Sequence, residues 1–220
     1  MSLPLAYTYY PWILKIDLSD LITDELNDEL AKQCIDSDKK ERPKNEENNR
    51  KNAANPNSII KNSYNTLMDT TKEMKYLYDI FNQKIHKYFS NIPDKCKSEN
   101  PYKGLGYAYV SYGKKRYDSY WHNHCNRATI NSVYYVKVPD SNGVLGLLWE
   151  DGEERKLKPL EKHLYLMPGW LSHKPYPCDN EDPRISINME FLSETRAILK
   201  PENFPIKLYE DWDKGALIVW

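Results

Sequence analysis

The sequence predicts a mainly β fold with helical support, of the α+β class, and two observations predict it. From Leu105 onward, short runs rich in β-branched and aromatic residues follow one another, with turn signals but no helical stretch between them. Before Leu105, two segments repeat their apolar residues at helical spacing. Strands in series without crossover helices indicate a sandwich or jelly roll and argue against a βαβ fold. The 220 residues suit one domain, 1–220. Within it a strand, helices and a polar loop occupy 1–104, and the β-rich core occupies 105–220.

Residues 8–16 (TYYPWILKI) read as a strand, with Pro11 near its start, where a missing N–H does little harm. Ser19 reads as a helix N-cap, followed by Leu21, Ile22, Leu26 and Leu30 at helical spacing, and the helix is expected to end near Cys34. Residues 36–58 hold almost no apolar side chains and cannot bury enough surface to offset their ordering entropy. They read as a solvated loop; a lid that orders over substrate is the sharper alternative. Thr70-x-x-Glu73 is a capping box opening the clearest helix of the chain. Its Met74, Leu77, Tyr78, Phe81, Ile85, Tyr88 and Phe89 form one stripe, expected to lie against a sheet. His86 on that helix has no partner at ligand spacing and reads as surface or packing. Pro93 and Pro101 bracket a loop.

In the second half, Tyr107–Tyr112 alternates and Ile130–Val138 is β-branched and aromatic. Val144–Trp149 follows an Asn142-Gly143 turn signal. His163–Met167 and Arg184–Phe191 are further strands, with shorter ones at Ile206–Tyr209 and Leu217–Trp220. The formal net charge of −1 provides no basic field, so neither nucleic acid nor an anionic membrane is an expected partner. Cys34, Cys96, Cys125 and Cys178 form no C-x-x-C pair, and the N-terminus lacks a signal-like apolar run. A cytoplasmic protein with reduced thiols is the expectation.

The chemistry concentrates between Trp121 and Phe191. In a strand, residues i and i+2 share a face, so His122 and His124 can converge on one metal ion. Alone, such a pair reads more readily as two surface histidines in a polar turn. A third histidine in a strand-flanking loop, at Trp170-Leu171-Ser172-His173, tilts the reading towards metal. Arg184–Phe191 then alternates without a break, with Arg184, Ser186, Asn188 and Glu190 on one face. That face looks at water or lines a cavity, where Arg184 would grip a carboxylate through two parallel hydrogen bonds and Ser186 would add a hydroxyl. Spacing does not choose between them. The letters HNH at 122–124 lack the ββα layout of the nuclease motif of that name, and His163 reads as a rim or packing residue.

His122-x-His124, the Ser132–Val136 strand, Met167-Pro168-Gly169-Trp170-Leu171-Ser172-His173 and Arg184-Ile185-Ser186-Ile187-Asn188, taken together, resemble the 2-oxoglutarate and Fe(II)-dependent oxygenase superfamily. Within it they are most similar to a small bacterial and phage group with an H-x-H motif. The resemblance spans about residues 105–192 and rests on four motifs in order. It implies a distorted jelly roll, or double-stranded β-helix, with the N-terminal helices packed on one sheet. It also implies Fe(II) held by His122, His124 and His173, with His122, His173 and Arg184 as the catalytic set. The cosubstrate 2-oxoglutarate would be held by Arg184, Ser186, Tyr135 and Tyr112. A dioxygenase reaction with O2 would give succinate and CO2 and hydroxylate a primary substrate, a peptide or a small molecule.

One departure stands out. The superfamily's proximal motif is His-x-Asp or His-x-Glu, and this chain places His124 where the carboxylate belongs. Either His124 ligates, or it lies behind the ligands and another group completes the site; Asp118 is badly spaced and Cys125 points away in a regular strand. The alternatives are a non-catalytic jelly-roll metal-binding protein or degenerate oxygenase relative. A cupin-like zinc hydrolase comes last, for want of a general base.

Overall fold

The computed structural model describes residues 12–36, 58–59, 71–88, 106–111, 121–124, 130–139, 144–149, 152–176, 182–191 and 217–219. Among these, the chain forms β1 (Trp12–Asp17), α1 (24–36), β2 (Ser58–Ile59), α2 (Lys72–Tyr88), β3 (Gly106–Ser111) and β4 (Ile130–Lys137). It continues with β5 (Leu145–Leu148), β6 (Glu154–Leu157), β7 (His163–Pro168), β8 (Ser172–Pro175), β9 (Arg184–Phe191) and β10 (Leu217–Val219). A seven-stranded sheet has the order β10-β1-β7-β4-β9-β3-β2, and a three-stranded sheet the order β6-β5-β8. Every pairing is antiparallel. The N-terminal strand is thus built into the large sheet, between β10 and β7, and does more than support it.

Side-chain alternation sorts the strands into layers. On one face of the large sheet Leu14, Ile16, Tyr134, Val136, Leu164, Leu166, Ile185 and Ile187 join helix residues such as Leu30, Cys34, Leu77, Phe81 and Ile85 in one core. On the other face Ile13, Val133, Tyr135, Tyr165 and Met167 meet Leu145, Leu147 and Leu157 of the small sheet, with Trp149 and Leu171. The order is helices, large sheet, small sheet. Each buried Leu, Ile or Phe contributes roughly 1.5–3 kcal/mol, so the helix-side core is a main source of stability. No described helix is long and apolar enough to cross a membrane.

The helix starts differ from the sequence expectation. Ser19 does not cap α1: its N–H donates to Asp17 Oδ1 (2.8 Å), and the Leu21 and Ile22 amides close a turn on the Leu18 carbonyl. The cap is Thr23, whose carbonyl accepts from the Asn27 amide and whose hydroxyl accepts from Leu26. Leu21 therefore precedes the helix and is exposed. At α2 the cap is Thr71, with the Met74 amide donating to its hydroxyl at 3.1 Å. Thr70 lies outside the described residues. Glu73 accepts from Gln33 of α1 at 3.0 Å, tying the two helices together.

Asn27, buried on α1, fastens that helix to the sheet. Its Nδ2 donates to the Val136 carbonyl (2.9 Å) and its Oδ1 accepts from the Tyr134 hydroxyl (2.7 Å). Three strands appear that periodicity did not announce: β2, which includes Ser58 at the end of the polar segment, β6, and β8, which carries His173. Residues 8–11, 37–57, Phe89, Pro93, Pro101, Tyr112, Asn142-Gly143 and 206–209, with Cys96, Asp118, Cys125 and Cys178, lie outside the described residues. Cys34 is a free, buried thiol.

Candidate metal centre

The turn after β7 builds the centre. The Leu171 amide donates to the Pro168 carbonyl at 3.1 Å, reversing the chain from the large sheet into β8 of the small one. His122 and His173 then exchange both backbone hydrogen bonds, at 3.1 and 2.8 Å, as an isolated antiparallel bridge. Residues so paired direct their side chains to the same side. His124 is placed by a different bond, its amide donating to the Gly169 carbonyl at 2.7 Å. The Pro168–His173 stretch therefore supplies one histidine and positions the other two.

The three rings converge. Centroid separations are 4.4 Å for His122–His173, 5.0 Å for His124–His173 and 5.4 Å for His122–His124. One nitrogen from each lies within 4.8 Å of the others, the convergence a shared metal requires. His122 is half-buried, while His124 and His173 are buried. The Nδ1–H of His173 donates to the Leu171 carbonyl at 2.9 Å, which leaves Nε2 as the lone-pair nitrogen. Burial, reinforced by the neighbouring imidazoles, holds His173 well below the ordinary imidazole range and keeps it neutral, the form that binds metal. His163 stands apart, its Nδ1–H donating to the Glu161 carbonyl at 2.8 Å.

The polar face of β9 turns inward. Arg184, Ser186, Asn188 and Glu190 are 4%, 8%, 7% and 1% exposed, so this face lines the interior between the sheets and does not look at water. The Nδ1–H of His124 donates to Glu190 Oε1 within that interior. Six residues along the strand, a distance of about 20 Å, Arg184 donates from Nη1 to the Tyr176 carbonyl at 2.8 Å. Ser186 sits directly across the β4–β9 pair from Tyr135. Tyr135 is buried, its ring edge-on to Tyr165 at 5.6 Å. A cation, a hydroxyl and a phenol thus lie on the buried inner side of the large sheet, from which Glu190 meets His124. Tyr112 is not among the described residues.

Two neighbours complete the surroundings. Gly146 leaves room on β5 for aromatic rings: a Cβ there would stand 2.7 Å from the Tyr176 ring and 3.1 Å from Trp121. Trp121 precedes His122, and Tyr176 holds Arg184 through its carbonyl, so this small residue serves both ends of the site. Asn131, fully buried and directly across from Glu190, has neither side-chain polar atom hydrogen-bonded among the described residues. Sequence reading named neither Asn131 nor a role for Glu190. The available signal was parity, since Asn131 alternates with Val133 and Tyr135, and Glu190 with Arg184, Ser186 and Asn188.

No family model and no curated protein matches the chain. Solved structures do resemble it. The viral collagen prolyl hydroxylase of Paramecium bursaria Chlorella virus-1 is 13% identical, covers 81% of this chain and 87% of its own, and superposes with a TM-score of 0.52. A Pseudomonas putida prolyl-4-hydroxylase is also 13% identical over 81% of this chain and 86% of its own, with a TM-score of 0.49. An oxidoreductase of the 2OG-Fe(II) oxygenase family from Burkholderia pseudomallei is 8% identical over 62% of this chain and 58% of its own, with a TM-score of 0.37. At such identities the likeness is one of fold, and the chain has the fold of the viral prolyl hydroxylase.

Proposed function

We propose that this chain is an Fe(II)- and 2-oxoglutarate-dependent dioxygenase, a hydroxylase built as a distorted jelly roll in a single domain. What supports the proposal is the convergence of three histidines beside a buried polar face of β9, which carries Arg184 and Ser186 as well as the Glu190 that meets His124. The single-domain reading is supported by a core that joins β1 and both helices to β4, β7 and β9.

The residues suit the metal they are asked to hold. His173 is neutral, and its Nδ1–H is committed to a backbone carbonyl, so Nε2 is the donor; imidazole nitrogen suits Fe(II). Bound together, Fe(II) and 2-oxoglutarate supply the activation of O2, coupled to decarboxylation of the cosubstrate to succinate and CO2. The chain's own groups bind and orient. His122, His124 and His173 hold the metal, and Arg184 receives the far carboxylate of the cosubstrate through its planar fork, with Ser186 and Tyr135 adding hydroxyl donors. Tyr112 is assigned to the same carboxylate. The apolar wall of Val133, Tyr165, Leu147 and Leu171 keeps water from the reacting groups. The primary substrate is a peptide or a small molecule, and likeness in fold to a collagen prolyl hydroxylase makes a proline-containing peptide the first to test.

The test is anaerobic addition of Fe(II) and 2-oxoglutarate, followed by admission of O2. The expected result is a visible charge-transfer band and then succinate, both lost in His173→Ala with the far-ultraviolet circular dichroism unchanged. Full succinate formation by that variant overturns the assignment. A second reading has its own observation: with His124 in place of a carboxylate, all three candidate ligands are imidazoles. Zinc retained without the band would make the centre a structural metal site.

A further inference from the structure

We infer that Glu190 is the carboxylate of this metal centre acting at one remove, a positioning residue that orients His124 and supplies the negative charge missing from the ligand set. The inference rests on the oxygenase reading only in requiring that the histidines take a metal.

Four observations converge. His124 occupies the position where the resembled proximal motif carries a carboxylate. Its Nδ1–H donates to Glu190 Oε1, and the two side chains are 2% and 1% exposed, so the contact is removed from water. A carboxylate only accepts, so this bond puts the proton on Nδ1 and leaves Nε2 to face the metal. The same division holds at His173, where the Leu171 carbonyl takes the Nδ1–H, and the two rings lie within 7° of parallel. Glu190 is not itself one of the residues whose ligand atoms cluster, which places it behind His124 and not beside it.

Charge explains why such a partner is needed. Two imidazoles and a carboxylate offset half of the charge of a divalent ion, and three imidazoles offset none. A carboxylate bonded to the far nitrogen of a ligating imidazole raises the basicity of that ligand and locks its ring, and losing such a partner typically weakens metal binding by about 10- to 100-fold. In this chain the carboxylate stands one hydrogen bond outward of the histidines, on a strand 66 residues after His124.

The experiment is a double-mutant cycle read by anaerobic Co(II) binding, using chelator competition and the visible d–d spectrum, so that turnover is not needed. Glu190→Gln is nearly isosteric and removes the charge; Glu190→Ala removes charge and acceptor together. In the wild-type background Glu190→Ala is expected to weaken Co(II) about 10- to 100-fold, and Glu190→Gln by a smaller factor. In the His124→Asp background the sign should reverse, because Glu190 then faces a second buried carboxylate, and Glu190→Gln should leave Co(II) affinity unchanged or raise it. A residue that only braces the fold would show the same loss in both backgrounds, and that result overturns the inference. So does an undiminished affinity in both Glu190 variants of a wild-type protein that binds Co(II); either outcome leaves the oxygenase reading standing. If the wild-type protein takes up no Co(II), both fall. Should Glu190→Ala fail to fold, Glu190→Gln alone still runs the cycle.

Discussion

Replacing Arg184 with Met keeps most of its aliphatic stem in the interior and removes the guanidinium. Arg184 is 4% exposed and its Nη1 is tied to the Tyr176 carbonyl, so the fork is held in place before any ligand arrives. A hydrogen bond to a charged partner is worth roughly 1.5–3 kcal/mol, and about 1.4 kcal/mol is a factor of ten in affinity. The metal-loaded Arg184→Met protein should therefore bind 2-oxoglutarate roughly 10- to 100-fold more weakly than wild type. Arg184→Lys, which keeps the charge but not the fork, should fall between the two. Calorimetric titration with 2-oxoglutarate and, separately, with 2-oxobutyrate makes the assay specific. Both ligands present the same keto-acid end, but only 2-oxoglutarate carries a distal carboxylate. The loss should appear for the first ligand and be absent for the second. Equal losses for both, or none for 2-oxoglutarate, would refute the assignment of Arg184 as the anchor.

Three further outcomes concern the scaffold. Asn27→Ala leaves the Tyr134 hydroxyl and the Val136 carbonyl without their buried partner; at roughly 1–3 kcal/mol per stranded group, urea unfolding should register a loss of about 2–6 kcal/mol with metal affinity little changed. Burial pushes the Cys34 thiol from its ordinary 9.0 up to about 12, so mass-mapped alkylation at pH 8 should spare Cys34 until the protein unfolds. Because the folded value is the higher one, its contribution is complete below pH 9 and declines between there and about pH 12 as the unfolded chain releases the proton first. Unfolding free energy should fall more steeply over that range in wild type than in Cys34→Ala.

What could be read from the sequence depended on how local its cause was. β9 was expected at Arg184–Phe191 and is found there, because an unbroken alternation is a property of the strand itself. β8 was missed because Ser172-His173-Lys174-Pro175 has no such pattern; its order comes from pairing with β5 and from the bridge to His122. At both helix starts the cap is a residue other than the one expected, Thr23 for Ser19 and Thr71 for Thr70. The Leu18 amide is anchored to the Lys162 carbonyl while its own carbonyl holds residues 21 and 22 in a turn, and at α2 the Met74 amide bonds Thr71 while Glu73 bonds Gln33 of α1. In the centre, the histidines were legible as a set, but not the route by which they meet. His122 and His124 converge through two different backbone bonds, to His173 and to Gly169, and not through a regular strand. Whether the polar face of β9 met water or a cavity was undecidable by spacing; burial of all four residues decides for the interior. The partnership of His124 with Glu190 spans 66 residues, and nothing local encodes it.

The pleat of β9 also explains how a site of this polarity is sustained. Each buried polar group costs free energy unless its hydrogen bonds are met, and a buried charge costs more. Four such groups stand in a row on the inner face. Interleaved with them, Ile185, Ile187, Met189 and Phe191 are fully buried on the outer face against the helix-side core. At roughly 1.5–3 kcal/mol each, those four side chains contribute about 6–12 kcal/mol, which offsets part of what the inner face costs. A one-residue slip would exchange the two faces and turn Arg184 and Glu190 into the helix-side core, so the same apolar set that stabilises the strand also enforces its register. Asn27 reinforces that register on β4 by gripping Tyr134 and Val136 from the helix side. The helical layer thus bears on the candidate metal centre from a distance: it helps fix which residues of β4 and β9 face inward, and the turn that follows β7 brings the histidines together, His124 against Glu190.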